Sequence, residues 1–252
     1  STPEAALAQI DNAVRDQTPP PARPVRKNIR EVIGYEAAYD RLGRNMPSGR
    51  GIAFAHVEGG LGNYRPQLEG PAYDAVAFSL RSGESNPNGH ATQTARIIYG
   101  STGLAPGVEV VHCMTTADFL GKLVLNAGTT GPPVAADDSP FAPRVFTHSW
   151  IGEPGDVQAA MILRRVDHLV DTRDVIMVAG VNNGRDTPVP ALLGSAYNAI
   201  AVGTTSGQSS GGVTSVDQPG RSKPDLVAPH GMTSFTTPVV SAAAAMLLEQ
   251  AD

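Results

Sequence analysis

Short apolar runs alternate with amphipathic stretches along most of the chain after residue 50. Six of these runs predict strands, at 51–57, 75–80, 108–114, 145–149, 175–179 and 199–204. Helical spacing predicts helices between them, near 90–99, 117–125 and 157–170, and a last helix over about 234–250. Strands that are apolar on both faces and separated by helices are typical of a parallel sheet covered on both sides. The predicted fold class is α/β, in three layers, with a mostly parallel twisted sheet and helices on both faces.

The first fifty residues follow a different pattern. A helix with one apolar face is predicted over 1–16, and a proline-rich stretch over 18–24 predicts a stiff linker. A second helical pattern covers 29–42. The chain is therefore divided into an N-terminal helix and linker at 1–27, either an arm or the remnant of a prosegment, and one domain at 28–252.

Composition narrows the class of protein without indicating an activity. The 252 residues carry a net charge of -5, which argues against a broad nucleic-acid surface. No apolar run approaches the ~18 residues that a membrane-spanning helix needs. Cys113 is the one cysteine, so an internal disulfide is excluded.

Four polar residues stand where parallel sheets gather their functional groups, at strand ends and helix starts. Glu58 and Asn182 each follow a predicted strand, while His90 and Ser234 each open a predicted helix. A serine hydroxyl needs a base to become a nucleophile, and imidazole is the usual one. A carboxylate orients the imidazole, and an amide N–H stabilises an oxyanion. The order acid, histidine, serine along the chain is the order found in subtilisin.

The segments around these residues resemble the subtilisin-like serine protease family (subtilases, peptidase S8 type). Residues 223–229, Lys-Pro-Asp-Leu-Val-Ala-Pro, match the family's Lys-Pro-Asp-x-x-Ala-Pro run. Residues 233–243, beginning Thr-Ser-Phe-Thr-Thr-Pro, look like its nucleophile helix, and 90–95 resembles its His-Gly-Thr-His-Val-Ala segment. Residues 179–184, Ala-Gly-Val-Asn-Asn-Gly, resemble Ala-Ala-Gly-Asn-x-Gly. The resemblance covers roughly residues 50–250.

The resemblance implies a serine endopeptidase that hydrolyses peptide bonds, with 28–252 as its catalytic domain. Ser234 is the expected nucleophile, His90 the base and Glu58 its orienting acid, and Asn182 is the expected oxyanion donor. The expected partners are a polypeptide substrate and a prodomain or inhibitor in the same groove. No cofactor is expected to be required. The sequence assigns no compartment, although the resemblance favours a secreted or cell-surface protein.

The resemblance also implies a substrate groove that pairs with the peptide backbone. Three of its expected residues, Trp150, Ile151 and Val181, are bulkier than the family's usual ones. We therefore expect a narrow primary pocket that prefers small or medium apolar residues on the acyl side of the cut. The expected substrate-binding residues are Ser149, Trp150, Ile151, Gly152, Gly180 and Val181.

The sequence departs from the family pattern in two places. Glu58-Gly59-Gly60 stands where the family has Asp-Ser/Thr-Gly, and the only nearby alternative acid, Asp74, lies at the start of a predicted strand. The segment from Pro229 to Ser234 is much shorter than the family's loop. Either this loop is shortened or residues are missing from the chain as given.

These departures leave two other functions open. The chain could be a degenerate subtilase that serves as a peptide-binding or scaffold module. It could also transfer the acyl group to an amine, as in peptide macrocyclisation. A metal or thiol site at His112-Cys113 is less favoured than a buried cysteine, and calcium at Asp137-Asp138 has no regular ligand pattern to support it.

Overall fold

A parallel sheet of seven strands forms the centre of the fold in the computed structural model, which describes residues 28–60, 62–125, 142–214, 216 and 220–251. The strands are β1 (Ala53–Glu58), β2 (Ala77–Leu80), β3 (Val110–Thr115), β4 (Pro143–His148), β5 (Ile176–Gly180), β6 (Ala199–Thr204), β7 (Gly212–Thr214), β8 (Arg221–Lys223) and β9 (Leu226–Ala228). The order in the sheet is β2-β3-β1-β4-β5-β6-β9, and β7 and β8 form a separate antiparallel pair.

Helices cover both faces of the sheet, which gives three layers. The helices are α1 (Ile29–Val32), α2 (Tyr35–Leu42), α3 (Gly89–Ile98), α4 (Thr116–Asp118), α5 (Asp156–Arg173) and α6 (Thr233–Ala251), with a 3-10 turn at Gly43–Asn45. A π-helical segment, Phe119–Val124, continues α4. Side chains of α3 and α6 pack in one apolar cluster with one face of the sheet, and those of α5 and the π-helical segment pack on the other face. The predicted α/β fold class is confirmed.

All six predicted strands are present, but three further strands were not predicted. The missed strands β7, β8 and β9 have three residues each, too few for an apolar run to stand out. The second helical pattern is broken in two at Gly34, whose φ of 77° lies in the left-handed region that glycine adopts without strain. The predictions for residues 1–27 and for Asp137-Asp138 lie outside the described residues.

The strand order reverses at β1, and this reversal positions the candidate site. β1 pairs in parallel with β3 on one side and with β4 on the other. All six residues of β1 are buried, so it is a central strand. Ligands of open α/β sheets bind beyond the carboxyl ends of the strands where the order reverses. Glu58, the last residue of β1, lies at that point.

A carboxylate near the end of α6 fastens the chain that leads into β1. Glu249 Oε2 accepts hydrogen bonds from the backbone N–H groups of Ser48, Gly49 at 2.7 Å and Arg50 at 3.2 Å. Because a carboxylate is a strong acceptor, these bonds link both ends of the domain.

Replacing Glu249 with alanine should therefore lower the free energy of unfolding. Three backbone donors lose their acceptor, and we expect a loss of about 1–3 kcal/mol in urea unfolding. Gln250→Ala, one position further on the same helix, is the matched control and should change stability by under ~0.5 kcal/mol. Equal effects of the two substitutions would contradict this role of Glu249.

Candidate active site

Glu58 and His90 form an ion pair at the carboxyl end of the sheet. His90 lies in the first turn of α3, which begins after Asn88, whose side chain accepts a hydrogen bond from Ala91 N at 2.9 Å. His90 Nδ1 lies 2.8 Å from Glu58 Oε2. The other oxygen, Oε1, accepts from Gly59 N at 3.0 Å. The glutamate thus reaches the imidazole despite its extra methylene.

The alternative acid does not share this position. Asp74 lies three residues before β2, at the amino end of that strand, whereas His90 lies at the carboxyl end of the sheet. Glu58 is also held from its main chain, because its carbonyl oxygen accepts from Thr116 Oγ1 at 3.2 Å. The structure therefore pairs His90 with Glu58.

Ser234 lies in the first turn of α6, and a pair of hydrogen bonds fastens it to the end of β4. Pro238 lacks the N–H that would bond to the carbonyl of Ser234 four residues earlier. Ser149 Oγ donates to this carbonyl at 2.9 Å, and Ser234 Oγ lies 3.4 Å from the Ser149 carbonyl. Ser234 as a whole residue is 3% exposed. The proline thus frees the acceptor that joins the helix to the strand.

Phe235, the residue after Ser234, brings α6 close to His90. Its ring centroid lies 6.1 Å from that of His90 and 4.6 Å from that of His230. Burial lowers the pKa of His230, so its ring is neutral at pH 7. The start of α6 therefore lies next to the Glu58–His90 pair, and His230 is a neighbour that the sequence did not single out.

The two asparagines after β5 have different partners. Asn182 Nδ2 donates to the Pro188 carbonyl at 2.9 Å. Asn183 Oδ1 accepts from Thr233 N at 2.9 Å and lies 3.1 Å from Thr233 Oγ1. Because the first N–H groups of a helix have no partner within it, Asn183 caps α6 from outside. This role of Asn183 was missed, since an Asn-Asn-Gly sequence indicates only a turn.

The expected substrate-binding segment is largely buried. Trp150 packs in the core beside Phe119, at 6.4 Å between ring centroids, and its indole N–H donates to His148 Nδ1 at 3.1 Å. Ile151 and Val181 are also buried. The side chain of Trp150 is therefore mostly covered by core residues, and its place in a substrate groove stays a prediction. The preference for small or medium apolar residues stays a prediction.

The backbone of this segment is partly engaged as well. The Gly152 carbonyl accepts from Leu192 N at 2.9 Å. Gly180 packs closely on α6, because an added Cβ would lie 3.0 Å from Thr237 Oγ1 and would require that side chain to shift. Ser149 and Gly180 thus both adjoin the first turns of α6.

The connection before Ser234 is short and hydrogen-bonded at both ends. Four residues, 229–232, join β9 to α6. His230 N donates to the Ala228 carbonyl at 3.1 Å, and the Met232 carbonyl accepts from Phe235 N at 3.1 Å. The shortened loop therefore still delivers Ser234 into a regular first helical turn.

His112 and Cys113 do not belong to a cluster of metal ligands among the described residues. Burial raises the pKa of Cys113 to about 12, which makes the thiol unreactive at neutral pH. His112 Nδ1 lies 3.1 Å from Arg81 Nε. No group of three or more potential metal ligands occurs in the part of the chain that the structure describes. No helix of the described residues is long and apolar enough to cross a membrane.

Comparison with protein families identifies the class of this protein. Residues 78–252 match the model of the subtilase family, Peptidase S8. The matched part includes His90, Asn182 and Ser234, while Glu58 precedes it. The chain belongs to the subtilase family, a family of serine proteases. None of the curated proteins matches the chain significantly in sequence.

Solved structures of low sequence identity share the fold. The epidermin leader peptide processing serine protease of Staphylococcus aureus is 14% identical, with a TM-score of 0.59 over 95% of this chain and 74% of that one. The patellamide maturation protease PatG is 14% identical, with a TM-score of 0.57 over 89% and 83%. The prenylagaramide maturation protease PagA is 20% identical, with a TM-score of 0.53 over 84% and 81%.

Two buried histidines next to the site make stability depend on pH. Burial lowers the pKa of His56 and of His148 to about 3, with smaller contributions from neighbouring histidines. The unfolded chain protonates both below pH ~6.5, whereas the folded chain does so only near pH 3. The contribution of these two histidines to folding stability is therefore constant above pH ~6.5, and it becomes increasingly unfavourable as the pH drops from there towards 3.

Removing one of these histidines should reduce the acid sensitivity. Below pH ~6.5 each buried histidine lowers the free energy of unfolding by about 1.4 kcal/mol per pH unit. Between pH 7 and pH 5 the free energy of unfolding of His148→Phe should therefore fall by about 2 kcal/mol less than that of the wild type. Urea unfolding at both pH values measures the two losses. Equal losses would show that His148 takes up its proton in the folded protein.

Proposed function

We propose that this subtilase is an endopeptidase that cleaves peptide bonds with Ser234 as nucleophile, His90 as base and Glu58 as orienting acid. The observation that carries the proposal is the 2.8 Å contact between His90 Nδ1 and Glu58 Oε2, beside the helix turn that holds Ser234. A carboxylate accepts but does not donate, so Nδ1 carries the proton. Nε2 is then the basic nitrogen.

In the first chemical step the Ser234 hydroxyl leaves its resting contact with the Ser149 carbonyl. Ser234 Oγ rotates away from the Ser149 carbonyl, 3.4 Å distant, and gives its proton to His90 Nε2 as it attacks the substrate carbonyl carbon. Catalytic hydrogen bonds are often loose before substrate binds, so this resting contact is compatible with catalysis. Glu58 stabilises the imidazolium that forms, since its carboxylate is buried beside the ring.

Two donors are available to the oxyanion. The Ser234 N–H belongs to the first turn of α6, where helix N–H groups have no partner within the helix. The side-chain amide of Asn182 carries two hydrogens on Nδ2, and one of them is donated to the Pro188 carbonyl. The other serves the oxyanion, and the positive end of α6 adds to the stabilising field.

Collapse of the tetrahedral intermediate completes the cycle in two stages. The imidazolium of His90 gives its proton to the leaving amine, and the acyl group stays on Ser234. Water then attacks the ester with His90 again as base, which releases the carboxylic acid and restores the serine. A low barrier in both stages needs the His90 ring to keep one orientation, which the Glu58 contact supports.

A second candidate is a peptide-binding module without catalysis. Two observations favour it: the resting hydrogen bond from Ser234 Oγ to the Ser149 carbonyl, and the bond from Asn182 to the Pro188 carbonyl. Both contacts engage groups that catalysis needs, although neither uses all of the donors of its residue. Such a module would bind peptides without cleaving them, so product analysis separates the two functions.

Substituting the proposed nucleophile should abolish peptide hydrolysis. With fluorescein-labelled casein as substrate, Ser234→Ala should lower the rate at least about 1,000-fold, because no acyl-enzyme can form. Ser241→Ala removes another buried serine of the same helix and, once corrected for folded protein, should cleave like the wild type. A wild type that binds casein without cleaving it would instead support the binding module.

The orienting role of Glu58 predicts a large effect of a neutral substitute. Glu58→Gln keeps the shape but replaces the carboxylate, so it should lower kcat about 10³–10⁴-fold with little change in KM. Steady-state kinetics on a chromogenic alanine-terminated tetrapeptide anilide measures this. A matched substitution of the rejected acid, Asp74→Asn, should leave kcat within about twofold. A larger loss of kcat in Asp74→Asn than in Glu58→Gln would identify Asp74 as the orienting acid.

A further inference from the structure

A second polar contact joins β1 to α3 beneath the Glu58–His90 pair. His56 precedes Glu58 by two residues, so both side chains point to the same face of the sheet. Thr94 follows His90 by about one helical turn, so it lies on the same side of α3. His56 Nε2 lies 3.2 Å from Thr94 Oγ1. Strand and helix are thus joined at two levels.

The protons of this cluster can be assigned from its contacts. Burial lowers the pKa of His56 to about 3, so the ring is neutral, with one donor and one acceptor nitrogen. Its Nδ1 lies 3.3 Å from the hydroxyl of Tyr99, which is itself wholly buried. Within the described residues, His56 is the hydrogen-bond partner of that hydroxyl. Tyr99 therefore donates to Nδ1, and Nε2–H donates to Thr94 Oγ1.

Thr94 also contacts the backbone of the first turn of α3, which includes His90. Its hydroxyl lies 3.1 Å from the His90 carbonyl and 3.0 Å from that of Ala91, and both oxygens are acceptors only. The Thr94 proton therefore goes to one of these carbonyls. Every donor from Tyr99 to Thr94 then has an acceptor, and the cluster ends on the carbonyls of His90 and Ala91 in the first turn of α3.

We propose that His56 and Thr94 are positioning residues that hold His90 in register with Glu58; this rests on the proposed function. The Glu58–His90 ion pair fixes α3 to β1 at one point only, and the apolar packing of the helix is not directional. A second contact one turn further along fixes the first turn of the helix against β1. Neither residue touches the substrate. A misplacement of about 1 Å can cost ~100-fold in rate, so a modest shift of α3 is enough to matter.

The main test removes the Thr94 hydroxyl while keeping its shape. Thr94→Val should lower kcat about 10- to 100-fold, with KM within about twofold, on the chromogenic alanine-terminated tetrapeptide anilide. Thr94→Ser restores the hydroxyl and should recover kcat to within about threefold. Thr172→Val is the control: Thr172 makes the same bond to a carbonyl four residues earlier, 2.7 Å from His168 O, on the distant helix α5. It should match the wild type.

A double-mutant cycle separates positioning from general destabilisation. His56→Leu breaks the same contact from the strand side, so it should lower kcat to a similar extent. The double variant Thr94→Val/His56→Leu should be no slower than the slower single variant. The contact between His56 and Thr94 is already lost in each single variant, so it cannot be lost a second time. Should Thr94→Val fail to fold, His56→Leu and Thr94→Ser still give the comparison. Additive losses, or a folded Thr94→Val with wild-type kcat, would overturn the proposal.

A spectroscopic measurement keeps this proposal distinct from the proposed function. In the Ser234→Ala background, proton NMR follows the Nδ1 proton of His90, which resonates downfield while it is bonded to Glu58. Thr94→Val should shift this resonance upfield or broaden it, and Thr172→Val should not. An unchanged resonance would overturn the positioning role. If the wild type cleaves no peptide but the His90 resonance still responds to Thr94→Val, the proposed protease function is wrong. The positioning of His90 by Thr94 then still stands.

Discussion

The carboxylate of Glu58 and the imidazole of His90 meet at 2.8 Å, with side chains that are 6% and 19% exposed. This contact depends on the central position of β1, because only the strand at which the order reverses ends in an open crevice between flanking loops. Helices α3 and α6 pack on the same face of the sheet and deliver His90 and Ser234 to that crevice. The rest of the fold therefore serves to bring a strand end and two helix starts together.

The start of α6 is held by side chains that do not belong to the proposed triad. Ser149 bonds to the carbonyl that Pro238 leaves free, and Asn183 caps Thr233. Together these contacts fix the first turn of the helix to β4 and to the loop after β5. The loop before α6 can be short for this reason, since the position of Ser234 does not depend on a long preceding segment.

The sheet could be predicted well from the sequence, because each of its six long strands is an apolar run bounded by turn residues. β9 escaped prediction, since it has three residues and exposes two of them, Leu226 and Val227. The positions of Glu58 and His90 at a strand end and a helix start also followed from the pattern. The distance between Glu58 and His90 could not be predicted from the pattern, because it depends on how α3 packs against β1.

Side-chain direction is the feature that the sequence conveyed least. Trp150 follows a strand in a segment that resembles a substrate groove, yet its indole turns into the core to reach Phe119 and His148. Asn183 looked like a turn residue, yet it caps α6. In both cases the partner lies far away in sequence, on an element whose position only tertiary packing determines.

The central claim is that Glu58 and His90 activate Ser234, and mass mapping of a covalent adduct tests it most directly. The folded protein is treated with a fluorophosphonate, digested, and the modified residue identified by mass spectrometry. The account predicts one stoichiometric adduct, on Ser234, and its loss in Glu58→Gln at the same reagent concentration. Absence of an adduct, or an adduct on another serine, would contradict the account.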